Sequence, residues 1–86
     1  MISKDDENNP VVAYLNRIGV TSADFAIMAR VDNVDVYAAR KARCRTLPKS
    51  FIRAIDERSG TGAGAKIAAA YLEYRESLRE ALMAKK

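Results

Sequence analysis

The residues best equipped for chemistry lie in one stretch. Between Arg40 and Arg53 stand six cations, Arg40, Lys41, Arg43, Arg45, Lys49 and Arg53, and no carboxylate. The whole chain of 86 residues has a formal net charge of only +4, so everything outside this stretch is net −2. Concentrated positive charge is what phosphate neutralisation requires; a solvated cationic face is the other reading of such a run. Other reactive groups are scarce. There is no His, which removes the usual general base near neutral pH and the commonest transition-metal ligand. Cys44 is flanked by Arg43 and Arg45, which favour a thiolate, but no second cysteine can resolve it and no base activates it. It reads as a bystander, and a lone thiol points to a reducing compartment. Asp56 and Glu57 are neighbours on one helix and diverge, unsuited to general acid–base work. Gly60 to Lys66 imitates a phosphate loop, but Ala65 precedes Lys66 and Ile67 follows it, where such a loop needs Gly and Ser or Thr. The expectation is no enzyme, no cofactor and no metal.

The elements that must position the basic stretch are helical. With 49 % apolar residues, the chain has enough for one small core and too few residues for a second domain. Asn9-Pro10 starts a first helix, Val12, Leu15 and Ile18 form its face, and Gly19 stops it. Thr21 with Asp24 suggests a capping box for a second short helix that buries Phe25, Ala26, Met28 and Ala29. Asp32 or Asn33 caps a third helix through Val36, Ala39 and Lys41. Cys44 to Leu47 is a loop, and Pro48 starts a fourth helix carrying Phe51, Ile52 and Ile55 that ends near Gly60. From about Ala65 to Ala84 runs a long helix whose Ile67, Tyr71, Tyr74, Leu78 and Ala81 form an a/d stripe, widened by Ala70 and Leu82. No segment alternates like a strand. The fold class is all-α: a small helical domain of four short helices with a helix-turn-helix, plus a long C-terminal helix.

The second helix, a three-residue break and the third helix have the dimensions of a helix-turn-helix. A small residue is needed where the two cross, and Ala26 supplies it; Phe25, Ala29 and Val31 flank the crossing and plug the turn. This stretch resembles the Cro/C1-type (XRE-like) helix-turn-helix of phage repressors, over roughly Val12 to Ile55. Arg43-Cys-Arg-Thr-Leu-Pro48 with Phe51 and Ile55 is similar to the family's basic loop, proline and packing helix. Arg30 stands where the family usually has Gly, at a left-handed turn position costing about 1 kcal/mol. The resemblance places the groove-facing side chains at Asn33, Val34, Tyr37, Ala38 and Lys41, and a phosphate donor at Ser22 or Thr21. Asn33 can pair with adenine, and Val34 or Ala38 can pack on a thymine methyl; Asn33 as a mere cap is the other reading. Asp32 can cap the helix, and Asp35 can accept from a cytosine amino group or face arginines.

Three segments follow: a flexible acidic N-terminus at 1–9, a helix-turn-helix DNA-binding domain at 10–60, and a Gly-rich linker with a C-terminal dimerisation helix at 61–86. The DNA-binding set is Ser22, Asn33, Val34, Tyr37, Ala38, Arg40, Lys41, Arg43, Arg45 and Lys49. The long helix either completes the monomer core or pairs with a second chain through Ile67, Tyr71, Tyr74, Leu78 and Leu82. Two recognition helices about 34 Å apart match one duplex turn. The expected function is therefore a sequence-specific, dimeric regulator of transcription, a repressor on an inverted-repeat operator of double-stranded DNA. The resemblance adds phage or mobile-element control. The competing expectation is a helical protein–protein module, antitoxin-like or antiactivator-like, acting through the long helix. No apolar run approaches the roughly 18 residues of a membrane span, and Met1 to Asn9 is not signal-peptide-like; a cytoplasmic protein without membrane contact is expected.

Overall fold

A computed structural model describes residues 6–85. The helices are α1 (Pro10–Ile18), α2 (Ser22–Ala29), α3 (Asn33–Arg40), α4 (Lys49–Ser59) and α5 (Ala63–Met83), and no strand occurs among the described residues. The fold is all-α, with four short helices and one long one. Of the N-terminal segment expected to be flexible, residues 1–5 lie outside the described residues. Its last residue, Asn9, is fully buried.

Local signals account for the helix starts. The Asn9 side chain accepts the Val11 amide at 2.9 Å, with Pro10 filling the first position, where its missing N–H costs nothing. Thr21 Oγ1 accepts the Asp24 amide at 3.1 Å. Asp32 occupies the N-cap of α3 but makes no side-chain cap bond, contrary to the expectation, and Asn33 is already the first helical residue. The start of α5 is capped from another helix: Asp56 Oδ1 accepts the Gly64 amide at 2.7 Å, placing a carboxylate at the positive end of the helix dipole.

The first three helices end alike. Each closes with a left-handed residue, and the next amide reaches back five residues: Val20 to Leu15 O at 3.0 Å, Val31 to Ala26 O at 3.0 Å, Arg43 to Ala38 O at 2.8 Å. The left-handed residues are Gly19, Arg30 and Ala42, with φ of 69°, 59° and 57°. Gly adopts this conformation freely; at Arg30 and Ala42 the Cβ costs about 1 kcal/mol each.

The core is built on an aromatic chain. Phe25 stands edge-on to Tyr14 (centroids 6.4 Å, 76°) and to Phe51 (5.3 Å, 78°). Around it pack Val11, Leu15, Ala26, Ala29, Val36, Ala39, Leu47, Ala54, Ile55 and Tyr71. Helix α5 lies against α4 and α1. The stretch expected as a Gly-rich linker is instead a tight turn, and α5 already begins at Ala63. Gly64 is buried against α4, where an added Cβ would strike the carbonyl oxygen of Ile52. Close helix contact therefore requires glycine there.

Candidate nucleic-acid interface

Helices α2 and α3 remain two separate rods, joined by the turn at 30–32 and packed on each other. Ala26 is buried in the core as the crossing demands, and Val31 packs at the core's edge. Two residues hold α3 down: Val36 and Ala39 have no exposed surface. Its opposite side is uncovered. Asn33 and Asp35 are exposed, Val34 is 67 % and Tyr37 47 % exposed, and Ala38 and Lys41 are half-buried. Spaced 1, 4, 5 and 8 residues from Asn33, these side chains form one helical face. Lys41 Nζ lies 5.4 Å from the Tyr37 ring centroid, a cation–π pair on that face. All five residues predicted to face a groove are thus together on an open surface.

The far end of α3 is held by a residue outside the motif. Asn9 Nδ2 donates to the carbonyls of Ala39 and Arg40, both at 3.0 Å, while its Oδ1 caps α1. The buried amide uses every polar atom and fixes the last turn of α3 to the first turn of α1. Sequence reasoning saw Asn9 only as a cap; a cap signal is local and says nothing of partners 30 residues away.

The basic residues divide. Arg40 donates to the Ser22 hydroxyl at the start of α2, linking the two helices of the motif. Ser22, predicted as a phosphate donor, serves Arg40 here, in a depression shared with Val12, Leu15, Asn16, Val20 and Thr21. Arg43, Arg45, Lys49 and Arg53 are exposed. The loop that carries Arg43 and Arg45 is pinned at both ends of its short span. Leu47 is buried, and the Tyr71 hydroxyl donates to the Cys44 carbonyl at 2.6 Å, with the Cys44 sulfur 3.3 Å from the same oxygen. Burial, together with the Cys44 thiol, pushes the Tyr71 phenol above its usual range.

This contact corrects the expected dimer face. Tyr71 has no exposed surface and so is not available to a second chain, and Ile67 is half-buried against the same core. Tyr71 anchors the basic loop. Tyr74 is half-buried and donates to Asp6 Oδ2 at 2.6 Å. Its phenol is pushed up to about 12, by burial first and then by Asp6, and the bond holds the Asp6 carboxyl below its usual value. Leu78 is half-buried and Leu82 exposed. The stripe read from the sequence is the inward face of α5 for its first half.

Among the described residues, no group of three His, Cys, Asp or Glu side chains is placed to hold a metal ion, and no helix is long and apolar enough to cross a membrane. Searches of protein-family models, curated proteins and solved structures find no match to the chain.

Proposed function

We propose that the chain is a sequence-specific binder of double-stranded DNA that regulates transcription, with α3 in the major groove. The observation that carries this reading is the two-sidedness of α3. Val36 and Ala39 are sealed in the core while Asn33, Val34 and Tyr37 stand in solvent, and the exposed cations Arg43, Arg45 and Lys49 follow directly behind. An α-helix fits the major groove, and a rigidly held helix with amide, methyl and phenol groups outward matches the chemistry of base edges. In this reading Asn33 contacts a base, Val34 and Ala38 contact methyl groups, Lys41, Arg43, Arg45 and Lys49 contact phosphates, and Arg40 with Ser22 sets the helix pair. The protein acts without catalysis or cofactor, in the cytoplasm, as a homodimer that occupies an inverted repeat and excludes polymerase. Phage or mobile-element control rests on the Cro/C1 resemblance alone.

The test is footprinting on the DNA upstream of its own gene, followed by affinity against salt. Four to five phosphate contacts give a log–log slope of about −4. Lys41→Ala and Arg43→Ala weaken all sequences alike and flatten the slope by about 1 each, whereas Asn33→Ala relaxes preference at one base pair by about 1–3 kcal/mol. Absence of binding at low salt, or binding indifferent to salt, refutes the proposal. A helical protein-interaction module is the second reading, favoured by the exposed Leu72, Leu82 and Met83 on α5; it predicts the first of these outcomes, no DNA binding at low salt.

A further inference from the structure

Helix α5 carries a second heptad-spaced stripe, apolar but for two charges at its centre, on the side away from the core. Ala65, Ala69, Leu72, Glu76, Arg79 and Met83 follow at spacings of 4, 3, 4, 3 and 4, a heptad seam. Ala65, Ala69, Glu76 and Arg79 are exposed, Leu72 is 50 % and Met83 69 % exposed. Beside Leu72 is a depression lined by Arg45, Thr46, Leu72, Arg75, Glu76 and Arg79.

Resting on the reading of the chain as a two-fold reader of DNA, we propose that this seam is its dimer interface, occupied by α5 of a second copy running antiparallel. Charge selects both occupant and direction. A two-fold axis midway between Glu76 and Arg79 sets Glu76 of one copy opposite Arg79 of the other, twice. The same axis sets Leu72 against Met83, again twice. Both charged positions on the seam therefore meet their opposites. In a parallel pair each seam residue faces its own copy, so Glu76 meets Glu76 and Arg79 meets Arg79, both repulsive. Antiparallel coils pair a positions with d positions, and Glu76 (a) with Arg79 (d) and Met83 (a) with Leu72 (d) obey that rule. In the single chain Glu76 and Arg79 lie 3.9 Å apart, both well exposed; such a pair contributes little and exchanges readily for the same pair across the axis. The depression beside Leu72 is the hole that receives the Met83 side chain of the second copy.

The test is sedimentation equilibrium of the full chain with charge-reversal variants. Wild type forms a dimer. Glu76→Arg alone and Arg79→Glu alone each juxtapose like charges at two places and weaken it at least about tenfold. The double variant E76R/R79E restores it, and an equimolar mixture of the two single variants forms a heterodimer tighter than either homodimer. All four proteins keep the same helical circular dichroism, since the substituted sites are exposed. A wild type that stays monomeric to about 1 mM, or a dimer that Glu76→Arg leaves intact while Tyr74→Glu dissolves it, overturns the proposal. DNA binding by a monomer overturns the seam and leaves the DNA reading standing; a charge-sensitive dimer that ignores DNA does the reverse.

Discussion

Asn9→Asp separates the buried amide's two tasks. The substitution keeps an oxygen to cap α1 but replaces the two N–H donors that Ala39 and Arg40 accept. Losing two buried hydrogen bonds costs about 1 kcal/mol each, and leaving the carbonyls facing a carboxylate adds about 1–2 kcal/mol. The total, about 3–4 kcal/mol at pH 7, is a large share of the 5–15 kcal/mol typical of a domain. At about 4–8 °C per kcal/mol, the melting temperature falls by about 12–32 °C. Part of this loss is tied to charge. Burial against two carbonyls raises the folded pKa of the new carboxyl above the unfolded value of about 3.9. The folded state then binds the proton more tightly, so its disadvantage shrinks as pH falls through the folded pKa. The gap between variant and wild type should therefore narrow between pH 7 and pH 4, because the neutral acid can again donate one bond. Asn9→Ala, which loses cap and staple without adding charge, should show a gap that pH does not change over that range. Thermal unfolding followed by circular dichroism reads all three. An Asn9→Asp protein as stable as wild type at pH 7, or a gap that does not narrow in acid, would refute the staple.

Three other predictions concern the same frame. Ala42→Gly and Arg30→Gly should each stabilise the chain by about 0.5–1 kcal/mol by relieving a left-handed φ; in a urea titration the two should add, since they occupy different turns. Gly64→Ala should destabilise by about 1–2 kcal/mol despite the better helix propensity of Ala, because the Ile52 carbonyl cannot yield unless α5 lifts from α4; unchanged urea unfolding would contradict the close approach. Tyr71→Phe should cost about 1 kcal/mol at pH 7 through the lost bond to Cys44. The raised phenol pKa makes wild type lose stability as pH rises above about 10, where only the unfolded chain ionises; the variant should lose less over that window, and identical alkaline profiles would remove Tyr71 from it.

Punctuation residues made the short helices legible. Asn9-Pro10, Gly19, Thr21 and Gly60 act through the backbone within a few residues, so they mark ends whatever the tertiary structure. The open face of α3 was legible because burying Val36 and Ala39 leaves only one orientation for Asn33, Val34 and Tyr37. Two kinds of information were not. Ala42 carries no local sign of a left-handed turn, since alanine at that position is tolerated rather than preferred. The stripe on α5 showed that a face is buried but not by what: Ile67 and Tyr71 meet their own core, and the proposed seam through Leu72 and Met83 carries no apolar signature because Glu76 and Arg79 interrupt its pattern. Gly64 read as linker material because close packing and flexibility favour the same residue.

The grip on the surface around α3 comes from residues distant in the chain. Asn9 clasps its last turn and Tyr71 anchors the adjoining loop, so neither support belongs to the two-helix motif. A peptide covering only residues 21–45 would lack both and should be largely coil in water. Transplanting this surface onto another scaffold would have to carry an amide donor for the end of α3 and a hydroxyl donor for the loop. Copying the outward side chains alone would reproduce the lettering without the page that holds it flat.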